Sequence, residues 1–372
     1  MGAGAAIAAA VPSLADASLD AALGEPRLAA SRPGGPIRLS RNENAYGPSP
    51  KAIAAMQEAA RSVANRHPDA DSEALRNKIA AVHHVTPEQV VLGCGSSEIL
   101  RMAADAFAGS HKTLITARPT FDLIGDYARR AGADVIAIPL TRTYSHDLDA
   151  MLASSDAATG LVYICNPNNP TGSLTRRQDL EAFLRKLPAT AFVLIDEAYH
   201  HYAGTSSDYA SFIDRPVDEG RVIVARSFSN IYGLAGLRVG YAVASVKTAR
   251  RLASYGLPEG VNVVAAKAAS SALDDTDHVR LSVKRNDDER QEFFNQANAR
   301  MLRAIDSRTN FVMLNTGRPA VEIVEHFRKN HVLVSGPFAP FDTHIRVSMG
   351  ASAEMREFWR VWDLMPAHKM SM

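Results

Sequence analysis

The chain has 372 residues, 46% of them hydrophobic, and its 41 basic and 40 acidic residues give a net charge of +1. This length and composition suffice for a large core and more than one domain. Nucleic-acid binders usually carry a basic excess or a basic stripe, and this chain shows neither, so nucleic acid is not expected as a partner. Beyond the first residues there is no run of 18 apolar residues, so no membrane-spanning segment is expected.

The N-terminal segment has an unusual composition. Residues 2–11 are mostly glycine and alanine, and Pro12-Ser13-Leu14-Ala15-Asp16-Ala17 follows them. This resembles the apolar core and cleavage site of an export signal that lacks its basic start. Residues 1–17 are therefore interpreted as a signal remnant, which predicts a periplasmic or exported protein. The alternative is a disordered alanine-rich tail on a cytoplasmic protein.

Hydrophobic periodicity predicts two helices, over residues 51–65 and 71–83, and then an alternation of short apolar runs with helical patterns. The apolar runs are 90–92, 113–116, 135–138, 161–164, 192–195, 222–224 and 241–244. Continuous apolar strands separated by helices are typical of a mostly parallel sheet that is covered on both faces. The chain is therefore predicted to have an α/β fold with a seven-stranded sheet.

The pattern changes after this alternation. Charged helical segments run through 279–306, and strands are predicted at 311–314 and 344–348. We therefore predict a large domain over residues 45–265. Residues 18–44 together with 266–372 are predicted to form a smaller α+β domain.

Ligands of open α/β sheets bind outside the carboxyl ends of the strands, so the residues after each strand are the candidates for a site. The run 90–92 is followed by Gly93-Cys94-Gly95-Ser96-Ser97-Glu98 and a predicted helix. Such a turn presents backbone N–H groups and hydroxyls to an anion. It does not match the dinucleotide fingerprint, because Glu98 stands at the last glycine position. An ordinary strand-to-helix turn is the alternative.

Three further strand ends carry polar groups. Residues 166–172 read Asn-Pro-Asn-Asn-Pro-Thr-Gly, a loop that two prolines make rigid. Asp196 ends a buried strand and needs a cationic partner, such as a protonated pyridine nitrogen; the alternative is a carboxylate that caps the next segment. Two serines and an arginine, Ser227, Ser229 and Arg238, surround a glycine-rich bend and suit a phosphate.

Taken together and in chain order, these motifs resemble those of the fold-type I pyridoxal-phosphate (PLP) aminotransferases of class I/II. N-P-N-N-P-T-G at 166–172 and S-x-x-x-G-L-A-G-L-R-V-G-Y at 229–241 carry the resemblance, which extends from about residue 39 to 350. The similarity is greatest to the histidinol-phosphate aminotransferases. It implies a homodimer that uses PLP, an amino donor and a 2-oxo acid acceptor.

The resemblance assigns a role to each matching residue. The predicted phosphate ligands are Gly95, Ser96, Ser97, Ser227, Ser229 and Arg238. Around the cofactor ring, Phe121 stacks on the ring, Asn169 and Tyr199 hydrogen-bond its hydroxyl, and Asp196 pairs with its nitrogen. Arg346 binds an anionic group of the substrate. His67 stands where the family usually has a tyrosine that reaches the cofactor phosphate in the partner subunit.

The residue after Ser229 departs from the family pattern. In the family it is the lysine that binds PLP covalently and moves the proton during transamination. Here it is Asn230, whose amide can do neither. The first interpretation is an ordinary aminotransferase that has lost its lysine and is inactive or holds its substrate without turnover. The second is an enzyme in which another group moves the proton. The third is a PLP-fold protein that binds a ligand without catalysis.

The donor and the reaction type also stay open. The resemblance suggests histidinol phosphate, but Ser335 stands where the family pattern has a second anion-binding arginine, and an export signal is unusual in a biosynthetic enzyme. A PLP decarboxylase or lyase is an alternative, and a NAD-dependent dehydrogenase is disfavoured because the glycine fingerprint is missing. His200-His201 has no acidic or cysteine partner at ligand spacing, so no metal site is predicted.

Overall fold

The computed structural model describes residues 35–366 except 205, 215 and 217–219. The predicted signal remnant or tail at 1–17 lies outside the described residues, as do residues 18–34 and 367–372 of the predicted small domain.

The described chain contains strands and helices throughout its length. The strands are β1 (Ile37–Arg38), β2 (Val90–Gly93), β3 (Thr113–Arg118), β4 (Asp134–Pro139), β5 (Thr159–Cys165), β6 (Phe192–Asp196), β7 (Val222–Ser227), β8 (Gly240–Ala244), β9 (Arg303–Ala304), β10 (Phe311–Asn315), β11 (Val332–Leu333) and β12 (His344–Ser348). The α-helices are α1 (Pro50–Ser62), α2 (Asp69–Val82), α3 (Ser96–Phe107), α4 (Leu123–Arg130), α5 (Leu148–Ala153), α6 (Arg177–Lys186), α7 (Val246–Ala253), α8 (Val263–Leu273), α9 (Thr276–Ala299), α10 (Ala320–Lys329) and α11 (Ser352–Asp363).

The large sheet has seven strands in the order β2-β8-β7-β6-β5-β3-β4. Strand β8 is antiparallel to both of its neighbours, β2 and β7. The remaining pairs are parallel. Each of these strands contains one of the seven predicted apolar runs, so the predicted α/β fold with a mostly parallel sheet is confirmed.

Apolar clusters cover both faces of this sheet. Strand β5 is buried along its whole length, as expected for a central strand between two layers of helices. Strand β4 contains an equally apolar run, yet none of its residues is buried. The reason is its position, because β4 is an edge strand that pairs only with β3.

Helix α8 belongs to the core of the large sheet. Its alanines, including Ala265 and Ala269, are buried in the same cluster as Ala52 of α1 and Leu75 of α2. Small side chains let this helix pack closely against α1 and α2. The predicted boundary at residue 265 falls inside this helix, Val263–Leu273.

The C-terminal part of the chain forms smaller sheets. Strands β12, β10 and β9 form a three-stranded antiparallel sheet, while β1 pairs in parallel with β11. Through this pairing, residues 37–38 join the C-terminal part of the chain. The core of this region includes Leu39, Phe327 and Phe358. Among the described residues, no helix has both the length and the apolarity that a bilayer crossing needs.

The register of the large sheet brings the predicted motifs together. Cys165 of β5 lies opposite Asp196 of β6, which lies opposite Ala225 of β7. Gly240 of β8 pairs with both Gly93 and Ser227. The strand ends are therefore level, and the residues that follow them share one edge of the sheet.

Candidate active site

A cavity of about 700 Å³ lies at this edge, where the large sheet meets β12 and the segment after β1. Most of the predicted site residues line it. They are Ser96, Ser97, Phe121, Asn169, Asp196, Tyr199, Ser227, Ser229, Asn230, Arg238 and Arg346. Gly95 adjoins this set in the chain, whereas His67 does not line the cavity of its own chain.

The N-terminus of α3 forms one end of the cavity. Gly95 is its N-cap residue, with a φ of 79°, and no side chain caps the helix. The first N–H groups of a helix lack partners within the helix, so these groups are available to an anion. Glu98, the acidic residue of the first turn, instead accepts hydrogen bonds from the N–H groups of Cys94 and Leu257, at 2.6 and 3.1 Å.

Arg238 lies against this helix end. It has a left-handed backbone, with a φ of 56°. Its Nη1 donates to the Ala235 carbonyl at 3.0 Å and to the Ser229 hydroxyl at 3.4 Å. The Ser227 hydroxyl accepts the Ser229 N–H at 3.0 Å and thereby fixes the turn. The arrangement gathers a guanidinium, hydroxyls and helix N–H groups, which is the donor set that a phosphate requires.

Gly95→Ala is expected to weaken PLP binding about tenfold or more. A Cβ at this position would lie 2.3 Å from Nη2 of Arg238 and would require a side chain at a φ of +79°. Both effects displace the phosphate donors, at a cost of about 1–3 kcal/mol. Titration of the apoprotein with PLP, followed by absorbance, measures the change. Gly317→Ala serves as the control, since Gly317 lies outside the cavity with a φ of +63° and a Cβ there meets no atom within 4 Å. Equal affinities of the two variants would contradict this role of Gly95.

Asp196 lies at the end of β6 with only 3% of its surface exposed. Its carboxylate accepts hydrogen bonds from the Tyr163 hydroxyl at 2.9 Å and from the Ala198 N–H at 3.1 Å. Burial raises the pKa of Asp196 to about 6, and no cation of the described chain offsets this effect. A buried carboxylate that lacks a cation and faces a cavity fits a protonated ring nitrogen as its partner.

Tyr199 and Asn169 lie together beside Asp196. The Tyr199 hydroxyl accepts hydrogen bonds from Nδ2 of Asn169 at 3.2 Å and from Nδ2 of Asn42 at 2.9 Å. Burial raises the pKa of Tyr199 far above its usual value, so the hydroxyl keeps its proton at neutral pH. Because two amides already donate to this oxygen, the proton of the hydroxyl is left to donate to a ligand in the cavity.

Arg346, on β12, provides the anion-binding group. Its guanidinium donates to Asn169 Oδ1, to the Ser40 carbonyl at 3.0 Å and to the Ser335 hydroxyl at 3.3 Å. It also lies 5.3 Å from the ring centre of Phe311 and 5.2 Å from that of Phe338. Its Nε is buried without a partner among the described residues. A half-buried guanidinium that lines the cavity and forms no ion pair with a described carboxylate fits an anionic substrate group.

Asn230, which the sequence motif predicts to stand at the lysine position of the family, lines the cavity. Its side chain is buried, and Nδ2 donates to the Ala198 carbonyl at 3.2 Å. Ala198 is also the residue whose N–H binds Asp196. The amide is therefore held against the segment that also binds Asp196.

His67 has a different environment. It is exposed and contacts Glu259 at 2.7 Å, a contact that raises the pKa of His67. Its predicted role concerns the cofactor of a partner subunit, which a single chain does not test. His200 packs against Tyr209, and His201 packs against Tyr232. In the described part of the chain, no three potential ligands cluster at a metal-binding distance.

Two features of the site were missed by the sequence reasoning. The segment 38–43 lines the cavity, although it lies far away in the sequence. Behind Asp196, the carboxylate of Glu197 forms a buried ion pair with Arg226 at 2.8 Å. The only sequence signal for the first feature was the dense polar run after β1. The sequence signal for the second feature was the presence of a charged residue, Glu197 or Arg226, at the end of each of two buried strands.

Known proteins match the chain over most of its length. The family profile of aminotransferase class I and II matches residues 35–361. The histidinol-phosphate aminotransferase of Moorella thermoacetica is 36% identical over 327 residues, which cover 87% of this chain and 84% of that protein. Histidinol-phosphate aminotransferase 2 of Carboxydothermus hydrogenoformans is 38% identical over 323 residues, with 86% and 88% covered.

A solved structure agrees with these matches. Histidinol-phosphate aminotransferase from Sinorhizobium meliloti in complex with pyridoxal-5'-phosphate is similar with a TM-score of 0.82 and 26% identity, over 95% of this chain and 96% of that one. The chain therefore belongs to the class I and II aminotransferases, a family of PLP-dependent enzymes with the fold-type I architecture.

Proposed function

We propose that this chain is a histidinol-phosphate aminotransferase-like protein that binds PLP without a covalent link and is inactive or trapped with its substrate bound. The observation that carries the proposal is the position of Asn230. It lines the same cavity as the residues that would bind the cofactor and the substrate. Removing one lysine leaves the phosphate donors, the ring-nitrogen partner and the substrate arginine intact.

Different residues of the cavity would bind different parts of the cofactor. The N-terminus of α3 with Arg238 would hold the phosphate, Phe121 the ring face, Asp196 the ring nitrogen, and Tyr199 with Asn169 the ring hydroxyl. When bound, PLP supplies an electron sink and a carrier for the amino group. The carboxylate of Asp196 keeps the ring nitrogen protonated, because the pairing favours both charged forms.

Proton transfer is the step that the present residues serve poorly. An amide such as Asn230 is not a useful base near neutral pH. Tyr199 keeps its own proton because burial raises its pKa. No histidine of the described chain lines the cavity, and the carboxylates that do are Asp196 and Glu43, the latter paired with Arg38 at 2.8 Å. We therefore expect turnover far below that of an enzyme with lysine.

Arg346 defines the substrate class of the proposal. It would bind the carboxylate or phosphate of a small amine or amino acid, and in the reverse half-reaction the carboxylate of a 2-oxo acid. The names of the relatives suggest histidinol phosphate as the donor.

The test is an absorbance titration. The apoprotein is first titrated with PLP, and the loaded protein is then mixed with histidinol phosphate and with a panel of amino acids. Bound PLP with a spectrum that changes once and then persists supports a trapped protein. Conversion to pyridoxamine phosphate at a catalytic rate would show that another group replaces the lysine. No spectral response to any amine would favour a ligand-binding protein, and release of carbon dioxide would favour a decarboxylase.

We also propose that the protein is a homodimer in which His67 donates a hydrogen bond to the cofactor phosphate of the partner subunit. Sedimentation velocity of the loaded protein tests the dimer. For the predicted export, the N-terminal sequence of protein recovered from the native host tests whether residues 1–17 are removed.

A further inference from the structure

More basic than acidic side chains line the cavity. Four arginines line it, Arg38, Arg41, Arg238 and Arg346, against two carboxylates, Glu43 and Asp196. Arg38 and Glu43 form an ion pair with each other at 2.8 Å. Within residues 35–366 as described, Arg41, Arg238 and Arg346 form no ion pair with any carboxylate. The cavity therefore favours the binding of anions, because its arginines outnumber its carboxylates.

The proposed function accounts for two of these cations. Arg238 lies at the helix end that suits the cofactor phosphate, and Arg346 offers its half-buried guanidinium to a substrate anion. The carboxylate of Asp196 is assigned to the ring nitrogen of the cofactor, so it is not available as a partner of Arg41. Arg41 thus has no anionic partner assigned to it. Its side chain is exposed and lines the cavity.

The backbone on both sides of Arg41 is fixed to the site. The Ser40 carbonyl accepts the Ser335 hydroxyl at 2.6 Å and Nη2 of Arg346 at 3.0 Å. Asn42 has a left-handed backbone with a φ of 56°, and its N–H donates to Ser348 Oγ at 2.8 Å. Its side chain donates to the Tyr199 hydroxyl. Arg41 therefore extends from a rigid point between the substrate arginine and the cofactor-facing tyrosine.

We infer that Arg41 determines substrate specificity by binding the distal carboxylate of a short dicarboxylic substrate whose other carboxylate lies at Arg346. This inference rests on the proposed function, since it takes the PLP-loaded cavity as the binding site. The substrate class is an acidic amino acid and its 2-oxo acid. Arginine suits this task because its guanidinium fork matches a carboxylate.

Binding of unreactive acids to the PLP-loaded protein tests the inference without requiring turnover. Glutarate and pentanoate have five carbons each and differ by one carboxylate, so calorimetry of both acids isolates the distal group. We expect glutarate to bind more tightly than pentanoate. Arg41→Gln should weaken glutarate roughly tenfold and leave pentanoate unchanged, because one charge-assisted contact is lost.

Two variants make the comparison specific. Arg303→Gln removes the same charge from an exposed position outside the cavity, so it should leave both affinities unchanged. Arg346→Gln should weaken both acids. Equal effects of Arg41→Gln on the two acids, or no effect on glutarate, would overturn the inference. A protein that fails to bind PLP at all would instead overturn the proposed function, and the PLP titration reports this separately.

Discussion

Replacing Asn230 with lysine is expected to raise the rate of transamination by roughly 10²-fold or more, the range that positioned general bases contribute. The lysine amine can bond to the cofactor aldehyde and carry a proton, which the amide cannot. Asn230 lines this cavity of about 700 Å³, into which a longer side chain could extend. The cost is the hydrogen bond from Asn230 to the Ala198 carbonyl, about 1 kcal/mol of stability.

Turnover with glutamate and with histidinol phosphate measures this gain. Borohydride reduction followed by mass spectrometry shows whether the cofactor has become covalently attached. Asn230→Gln is the matched control, because it lengthens the amide without adding an amine and should restore neither property. The hypothesis of a lost lysine fails if the lysine variant fixes the cofactor but gains no turnover, or if the parent chain already transaminates at the rate of the variant.

Asp196→Asn is expected to have opposite effects on stability and on cofactor binding. In the apoprotein, burial raises the pKa of Asp196 from 3.8 to about 6. The folded state then holds a proton that the unfolded state has released, so stability falls as the pH rises from about 4 to about 6. The loss amounts to about 3 kcal/mol above pH 6, at 1.36 kcal/mol per pKa unit. An uncharged amide avoids this cost.

Chemical denaturation of the apoprotein at several pH values between 4 and 7 tests the sign. The parent chain should lose stability across this window more steeply than Asp196→Asn, and the variant should bind PLP more weakly because the ring nitrogen loses its counter-charge. Asp134→Asn, which removes an exposed carboxylate at the edge strand, should leave both properties as in the parent. A parallel pH dependence in the parent and Asp196→Asn would show that Asp196 is not the titrating group.

The same reasoning explains why function and stability conflict at this residue. The carboxylate is costly while no cation pairs with it, and the cost would be relieved when a protonated ring nitrogen pairs with it. Loading with PLP should therefore flatten the pH dependence of the parent chain. The buried ion pair of Glu197 and Arg226, directly behind Asp196, already has its partner in the protein and needs no ligand.

The sequence by itself determined the large sheet and most of the cavity. Continuous apolar runs such as 161–164, separated by helical patterns, indicate strands of a covered sheet, and parallel strands place their carboxyl ends at one edge. Asp196, Ser227 and the turn at Gly95 therefore had to lie together. The prediction that Asn230 stands at the lysine position rests on the motif around it, which follows β7 in the chain.

Only the tertiary structure decided what closes the cavity from the other side. Asn42 binds Ser348, 306 residues away in the chain, and donates to Tyr199. Such contacts depend on loop closure over long separations, and no local periodicity reports them. The packing of the α8 alanines in the same apolar cluster as Ala52 of α1 is likewise a tertiary contact that the local composition does not show.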